Sequence, residues 1–368
     1  MPYGTVNADL MTTSDGVSSS GLYGFKNRII NGAMVIDQRN AGASASLTSS
    51  QTYFVDRFFG VEDTDGTMTI QRSTTAPTGF INSLLMTTTS ADASLGATQI
   101  CYVGQKIEGL NVADFAWGTA SASTVTLSFW VRSSLTGTFG GAIANAAFNR
   151  SYPFTYTISS ANTFEYKTIT IAGDTSGTWP TDNGTSIQVF LGLGIGSTYS
   201  GTAGAWAGSG YISAIGATSV IGTNGATFYI TGVQLEKGST ATSFDYRPYG
   251  TEFSLCQRYY FALNTANVGS NGSYFTGVNR GTSLQGHISP PQPMRTAPSL
   301  TSSGTTTFYV QNGSSNLNCT TAATIASSTG GSQTIMIVSG AYSSYTSGYG
   351  GQMIDQSGAS FLNFSAEL

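Results

Sequence analysis

The sequence predicts a mainly β protein: an antiparallel jelly-roll sandwich, then a short helical connector and a smaller C-terminal β domain. Three observations lead there. First, two segments alternate cleanly. In residues 125–132, Val125, Leu127, Phe129 and Val131 share one face, and Thr126, Ser128, Trp130 and Arg132 the other. In residues 187–195, Ile187, Val189, Leu191, Leu193 and Ile195 oppose Gln188, Phe190, Gly192 and Gly194. A period of two means strands with one face in a core. Second, Asn-Gly pairs recur at Asn31-Gly32, Asn183-Gly184, Asn224-Gly225, Asn271-Gly272 and Asn312-Gly313. Asn-Gly suits a type I′ turn, in which both central residues have positive φ. Such spacing favours a sandwich over a parallel sheet with crossover helices. Third, the chain has 46 glycines and many Thr, Tyr and Phe residues, which suits short strands joined by tight turns.

The elements follow in order. Residues 1–26 carry Ser, Thr and Gly among isolated apolar residues, with no sustained period, and read as an extended or flexible arm. The jelly roll is expected over residues 27–249. Ile29, Ile30, Met34, Val35 and Ile36 suggest a first strand pair bent at Asn31-Gly32. Residues 68–71, 154–158, 164–171 and 228–235 supply further strands, for eight or nine in all. The glycines facing away from the core in 187–195 leave room for a ligand, a loop or a subunit. In the connector, residues 250–263, Phe253, Cys256, Gln257 and Tyr260 recur at helical spacing, with no Gly or Pro between them. The C-terminal domain, residues 264–368, opens with glycine-rich turns. Pro290, Pro291 and Pro293 then exclude a central strand. Residues 306–310, 334–338 and 361–364 provide its strands. No internal repeat points to a propeller or β-helix.

Composition excludes several functions. The chain of 368 residues is long enough for two cored domains, and its 40% hydrophobic content allows burial. Only 9% of residues are charged, against about 25% on average. The net charge is −4 and the 14 basic residues are scattered, which argues against binding nucleic acid. No apolar run approaches the roughly 20 residues needed to cross a bilayer, and the N-terminus lacks the pattern of a secretory signal. Cys101, Cys256 and Cys319 are odd in number and far apart. They are expected as small buried groups, not a disulfide frame or zinc site. Little charge repulsion keeps copies apart, which suits a subunit of a symmetric assembly.

Catalysis finds little support. His287 is the only histidine, and no nucleophile elbow, phosphate loop or zinc motif occurs. Glycoside cleavage needs two carboxylates, but Asp63, Asp65, Asp174 and Asp182 sit among turn formers. Asp63-Thr64-Asp65-Gly66 starts like a calcium loop without its later acidic ligand. The expectation is therefore no enzyme, no cofactor and no committed metal. Sugar binding is the sharper expectation, because a pyranose stacks its apolar face on an aromatic ring flanked by polar groups. Trp179 with Asp182, and Trp206 with Tyr199, lie in loops where sandwiches carry binding residues. Core or interface packing is the alternative for these rings, and is the expectation for outward-facing Trp130. Tyr342, Tyr345 and Tyr349, among Ser and Gly, form a second candidate contact loop, similar in composition to antibody binding loops.

Three anchors point to a family. They are NRIINGAMVIDQRNAG at 27–42, TFYITGVQLEKGSTATSFDYRPYGTEFSLCQRYYF at 227–261, and FSAEL at 364–368. Together they resemble bacteriophage tail-fibre and virion-surface proteins, in which a carbohydrate-binding-module-like jelly roll passes into a C-terminal β tip domain. The resemblance implies a virion protein assembled in the host cytoplasm, docked to other virion proteins through its N-terminal arm. It also implies a homotrimer, and a tail-fibre or receptor-binding role on host-surface glycan. Two other roles stay open: a structural capsid-surface fibre or decoration protein, and a glycan-degrading tail enzyme.

Overall fold

The computed structural model describes residues 25–264, 272–303, 308–312, 315–327, 335–338, 342, 346–355 and 360–368. The arm and Tyr345 lie outside these residues. The chain divides into two compact units, residues 1–248 with 368, and 249–367.

The first unit holds β1 (Ala45–Ser46), β2 (Thr52–Tyr53), β3 (Phe59–Asp63), β4 (Thr67–Ser73), β5 (Ser83–Ser90), β6 (Ile100–Glu108) and β7 (Val125–Ser133). It continues with β8 (Gly137–Asn145), β9 (Ser151–Ile158), β10 (Glu165–Ile171), β11 (Thr185–Ile195), β12 (Ser200–Gly201), β13 (Ser213–Ala214) and β14 (Thr227–Lys237). Two six-stranded sheets form, in the orders β1-β4-β5-β14-β7-β10 and β2-β3-β6-β11-β8-β9. Within them, β5-β14-β7-β10 facing β6-β11-β8-β9 is jelly-roll strand order, with antiparallel neighbours throughout. The protein is mainly β, as the alternation predicts. Val125, Leu127, Phe129 and Val131 meet Ile187, Val189, Leu191 and Leu193 in one buried core. On the far side of β11, the expected close approach comes from a loop of the same chain. A Cβ on Gly192 would lie 2.8 Å from Ser213 Oγ. The register shifts between Gly192 and Gly194, so Gly194 turns to the core, where a Cβ would lie 2.3 Å from Ile221 Cγ2, and Ile195 packs on the outer face instead of the expected inner one.

Residues 27–36 are not the expected strand pair. Ile29, Ile30, Met34 and Ile36 are buried, but side chains stand in for a ladder. Asn27 Oδ1 accepts the N–H groups of Ile29 and Leu235, at 2.9 and 3.1 Å. Gln105 accepts from Ile30 N–H and donates to its carbonyl, at 2.9 and 2.8 Å. Asn31 closes on Ile36 in the same two-way manner, at 2.8 and 3.0 Å. Asn31 has φ 61°, but Gly32 is not left-handed, so no type I′ turn forms. Gly32 is required for another reason: a Cβ there would stand 2.1 Å from Val233 O. Neither Asn183-Gly184 nor Asn224-Gly225 pairs two positive φ values either; these pairs mark turns of other types.

The second unit opens with α1 (Tyr249–Gln257). The helix is shorter than expected, because β15 (Tyr260–Asn264) begins at the Tyr-Tyr-Phe run, whose aromatic residues favour a strand. The remaining strands are β16 (Ser273–Asn279), β17 (Leu284–Ile288), β18 (Ser299–Ser302), β19 (Phe308–Asn312), β20 (Ser315–Asn318), β21 (Thr324–Ser327), β22 (Ile335–Val338), β23 (Gly350–Asp355) and β24 (Phe361–Ser365). They make a three-stranded sheet, β15-β24-β18, and a seven-stranded one, β20-β19-β23-β16-β17-β22-β21. Leu284, Val310, Ile335, Met353 and Phe364 lie in its core. All three cysteines are buried and unbridged.

Candidate functional site

The alternation that sends Val131 and Phe129 inward on β7 sends Trp130 and Ser128 outward. Tyr166 of β10 lies directly across from Trp130, and their rings stand 5.4 Å apart. On the other side of β7, the register of β14 shifts between Thr231 and Gln234. Gly232, with φ 61°, makes this bulge, and a Cβ there would lie 2.7 Å from Phe80 Cζ and 3.1 Å from Trp130 Cδ1. Glycine thus lets Phe80 and Trp130 close over the strand.

The second wall comes from the residues after β14. Buried Glu236 accepts Thr242 N–H at 2.8 Å and its hydroxyl at 2.6 Å. Gln234 donates to Glu236 at 2.8 Å and accepts from Asp245 N–H at 2.8 Å. Asp245 in turn accepts Asn27 N–H at 3.2 Å, and Arg247 donates to the carbonyls of Asn27 and Ile29. Asn27 of the first anchor motif and Gln234, Glu236, Thr242, Asp245 and Arg247 of the second therefore meet in one clamp. It holds Phe244 and Tyr246 against Phe80, at ring distances of 5.1 and 5.5 Å, and Tyr246 also donates to Gly79 O at 2.7 Å. Burial pushes the Tyr246 phenol above its ordinary value.

Between these walls runs an open groove of about 420 Å³, lined by Phe80, Ser128, Trp130, Tyr166, Gly232 and residues 241–244 and 246. That volume suits a small ligand. Tyr166 is 42% exposed and Trp130 half-buried. Neither the Trp130 indole N–H nor the Tyr166 hydroxyl has a hydrogen-bond partner among the described residues, so both can bond a ligand. The lining has no carboxylate, imidazole or thiol. It offers aromatic surface edged by hydroxyls.

The tryptophans expected to bind sugar are placed differently. Trp179 is 8% exposed and packs edge-on against Trp117 and Trp206, at 4.7 and 5.5 Å. Trp206 is half-buried against Trp117 and Tyr152, both at 5.3 Å. Their N–H groups are occupied: Trp179 donates to Asp174 at 3.2 Å and to Ser176 O at 3.1 Å, and Trp206 donates to Ala172 O at 2.8 Å. Asp174 is itself buried and takes a two-point bond from Arg150, at 2.9 and 2.5 Å. Trp179 is therefore packed in a buried cluster in place of the expected platform, and Trp206 lies half-buried beside it. The sequence signal for burial was Trp117, 62 and 89 residues away from its two partners. Asp182 is exposed, and its carboxylate accepts Gly184 N–H at 2.8 Å in a turn. Tyr199 packs on Phe148 at 6.3 Å, on the outer face of the second sheet. Among the described residues, neither shares a bond or ring contact with the tryptophans.

In the second unit, Tyr342 is buried and donates to Asn279 Oδ1 at 2.5 Å, so it belongs to the core, not to a contact loop. Tyr349 is 61% exposed, and Tyr345 lies outside the described residues. Among the described residues, no cluster of three or more His, Cys, Asp or Glu side chains could hold a metal ion. No described helix is long and apolar enough to cross a membrane.

No family profile matches the chain, and neither does any curated protein. Several solved structures are similar to it at low identity. The enzymatically active domain of tailspike protein 4 from bacteriophage CBA120 is 13% identical, covering 58% of this chain and 21% of that one, with a TM-score of 0.32. The match therefore spans about a fifth of the tailspike domain. A CBM4 module is 14% identical over 56% of this chain and 98% of its own, with a TM-score of 0.28. The family 11 carbohydrate-binding module of Clostridium thermocellum, in complex with a mixed-linked tetrasaccharide, is 12% identical over 55% and 99%, with a TM-score of 0.27. At these scores the likenesses identify neither a relative nor a ligand.

Proposed function

We propose that this chain is a phage virion protein that attaches to host-surface carbohydrate, without cleaving it, through the groove of Trp130 and Tyr166. One observation carries the sugar reading. Trp130 alone among the four tryptophans stands in an open groove with its N–H unpartnered, beside a second exposed aromatic ring. An apolar ring face edged by hydroxyl and N–H donors is what a pyranose needs. The virion assignment rests on the anchor motifs, two of which converge on the clamp that builds the groove's second wall. Other virion proteins, met through residues 1–26, and a homotrimeric state belong to the same reading.

Magnitudes favour many copies. One or two stacked rings give affinities near millimolar, about −4 kcal/mol. Linking sites raises avidity by about 10²–10⁴, enough to hold a repetitive glycan. A glycan array with the native chain, Trp130→Ala and Tyr166→Ala tests the reading. Binding by the native chain and loss in both variants is expected. Binding unaffected by either substitution would contradict it. Reducing ends released from the bound polysaccharide would replace attachment by the tail-enzyme role, and immunogold label on capsids alone would move the chain from tail to head.

A further inference from the structure

We propose that the groove selects an acidic glycan, with Arg132 bonding a negatively charged substituent while the sugar stacks on Trp130; this rests on the carbohydrate reading above. Arg132 lies two residues beyond Trp130 on the outward face of β7, about 7 Å along the strand. It is not itself a lining residue but is the next outward residue past Trp130, where a substituent extending along β7 from the sugar would meet it. Its guanidinium is stacked over Tyr229 at 4.8 Å and Phe164 at 5.9 Å, and Nε donates to Asn162 O at 2.9 Å. The two terminal nitrogens have no partner among the described residues. Elsewhere in this unit Arg28, Arg39, Arg72 and Arg150 each face a carboxylate; Arg132 faces none.

The surrounding face sharpens the point. By register, the outward positions of β4, β5, β7, β10 and β14 are otherwise Thr, Ser, Gln, Leu and aromatic residues, with one further charge, Glu236. Glu236 is buried, and its oxygens are taken by Gln234 and Thr242. Glu165 and Lys167 on β10 point to the opposite side and bond each other at 2.6 Å. A fixed, planar fork on an uncharged polar surface matches a carboxylate, sulfate or phosphate group bidentately. Two ring contacts and the Asn162 bond hold it in place before the ligand arrives, which limits the ordering cost of binding.

The test uses the full chain and matched oligosaccharide pairs: uronate-containing sugars with their carboxyl-reduced forms, and sulfated sugars with their desulfated forms. Native protein should prefer the acidic member of one pair type, the type identifying the acid. Arg132→Gln should lower that affinity about tenfold, as expected for losing a charge-assisted pair, and leave the neutral member's affinity unchanged. Arg132→Lys should retain the salt dependence but only part of the affinity. Trp130→Ala should lose both members. Equal native affinity within both pair types would overturn the acid preference and leave sugar binding standing. So would equal losses of both members in Arg132→Gln, because Arg132 would then only support the face. Failure of the native protein to bind any sugar would overturn both.

Discussion

Trp130 differs from the other three tryptophans in its surroundings more than in its neighbours along the chain. Trp117, Trp179 and Trp206 each donate their N–H to an oxygen of the same unit and pack edge-on into one cluster. Replacing a core aromatic by alanine costs about 3–5 kcal/mol. Trp179→Ala should therefore lower unfolding free energy by about that much in urea titrations. Below its transition it should still bind sugar, since the groove shares no residue with the cluster. Trp130→Ala should do the reverse, changing stability by no more than about 1 kcal/mol while abolishing binding. Equal stability losses in the two variants would contradict the division. Alternation placed Trp130 outward, and that much was legible. Nothing near Trp179 or Trp206 in sequence told that they would pack together, because their shared partner, Trp117, arrives from the stretch before β7.

At the level of elements, β14 and the residues after it do most to build the site. The GVQLE run is a strand with a glycine bulge, followed by a return segment clamped by Gln234, Glu236 and Asp245. Gly232→Ala puts a side chain at φ 61°, at a cost of about 1–2 kcal/mol, and drives it into Phe80 and Trp130. It should weaken sugar binding more than its stability loss explains. Denaturation and binding isotherms measured together check this, and unaltered binding would count against the groove. Glu236→Ala should cost about 2–3 kcal/mol, because it removes bonds to a charged acceptor and leaves buried donors unpaired. It should also release residues 241–246, visible as faster amide exchange there. Strands β3, β5, β6 and β8 are not among the expected segments, whereas β7 and β11, one in each sheet, could be read from period two. The 27–36 segment could not, because Asn27, Asn31 and Gln105 replace a ladder with side-chain bonds that carry no periodicity. The helix of the second unit was legible at its start, and its end was set by the strand preference of Tyr260 and Phe261.

For the whole molecule, charge and valence belong together. A chain with 9% charged residues resists self-association weakly, and under the proposed reading a groove of near-millimolar strength would need linked copies to hold a cell surface. Equilibrium sedimentation of the full chain should therefore find an assembly, trimeric under the proposed reading, at micromolar concentration. A stable monomer would remove the avidity on which the mechanism depends.

The central claim is that sugar meets Trp130 and none of the other tryptophans. Fluorine NMR of the fluorotryptophan-labelled full chain, titrated with a glycan selected on the array, tests it in one spectrum. The account predicts that the Trp130 resonance, assigned by Trp130→Phe, moves with saturation while those of Trp117, Trp179 and Trp206 stay fixed. A saturable shift at Trp179 or Trp206 with Trp130 unmoved would contradict it.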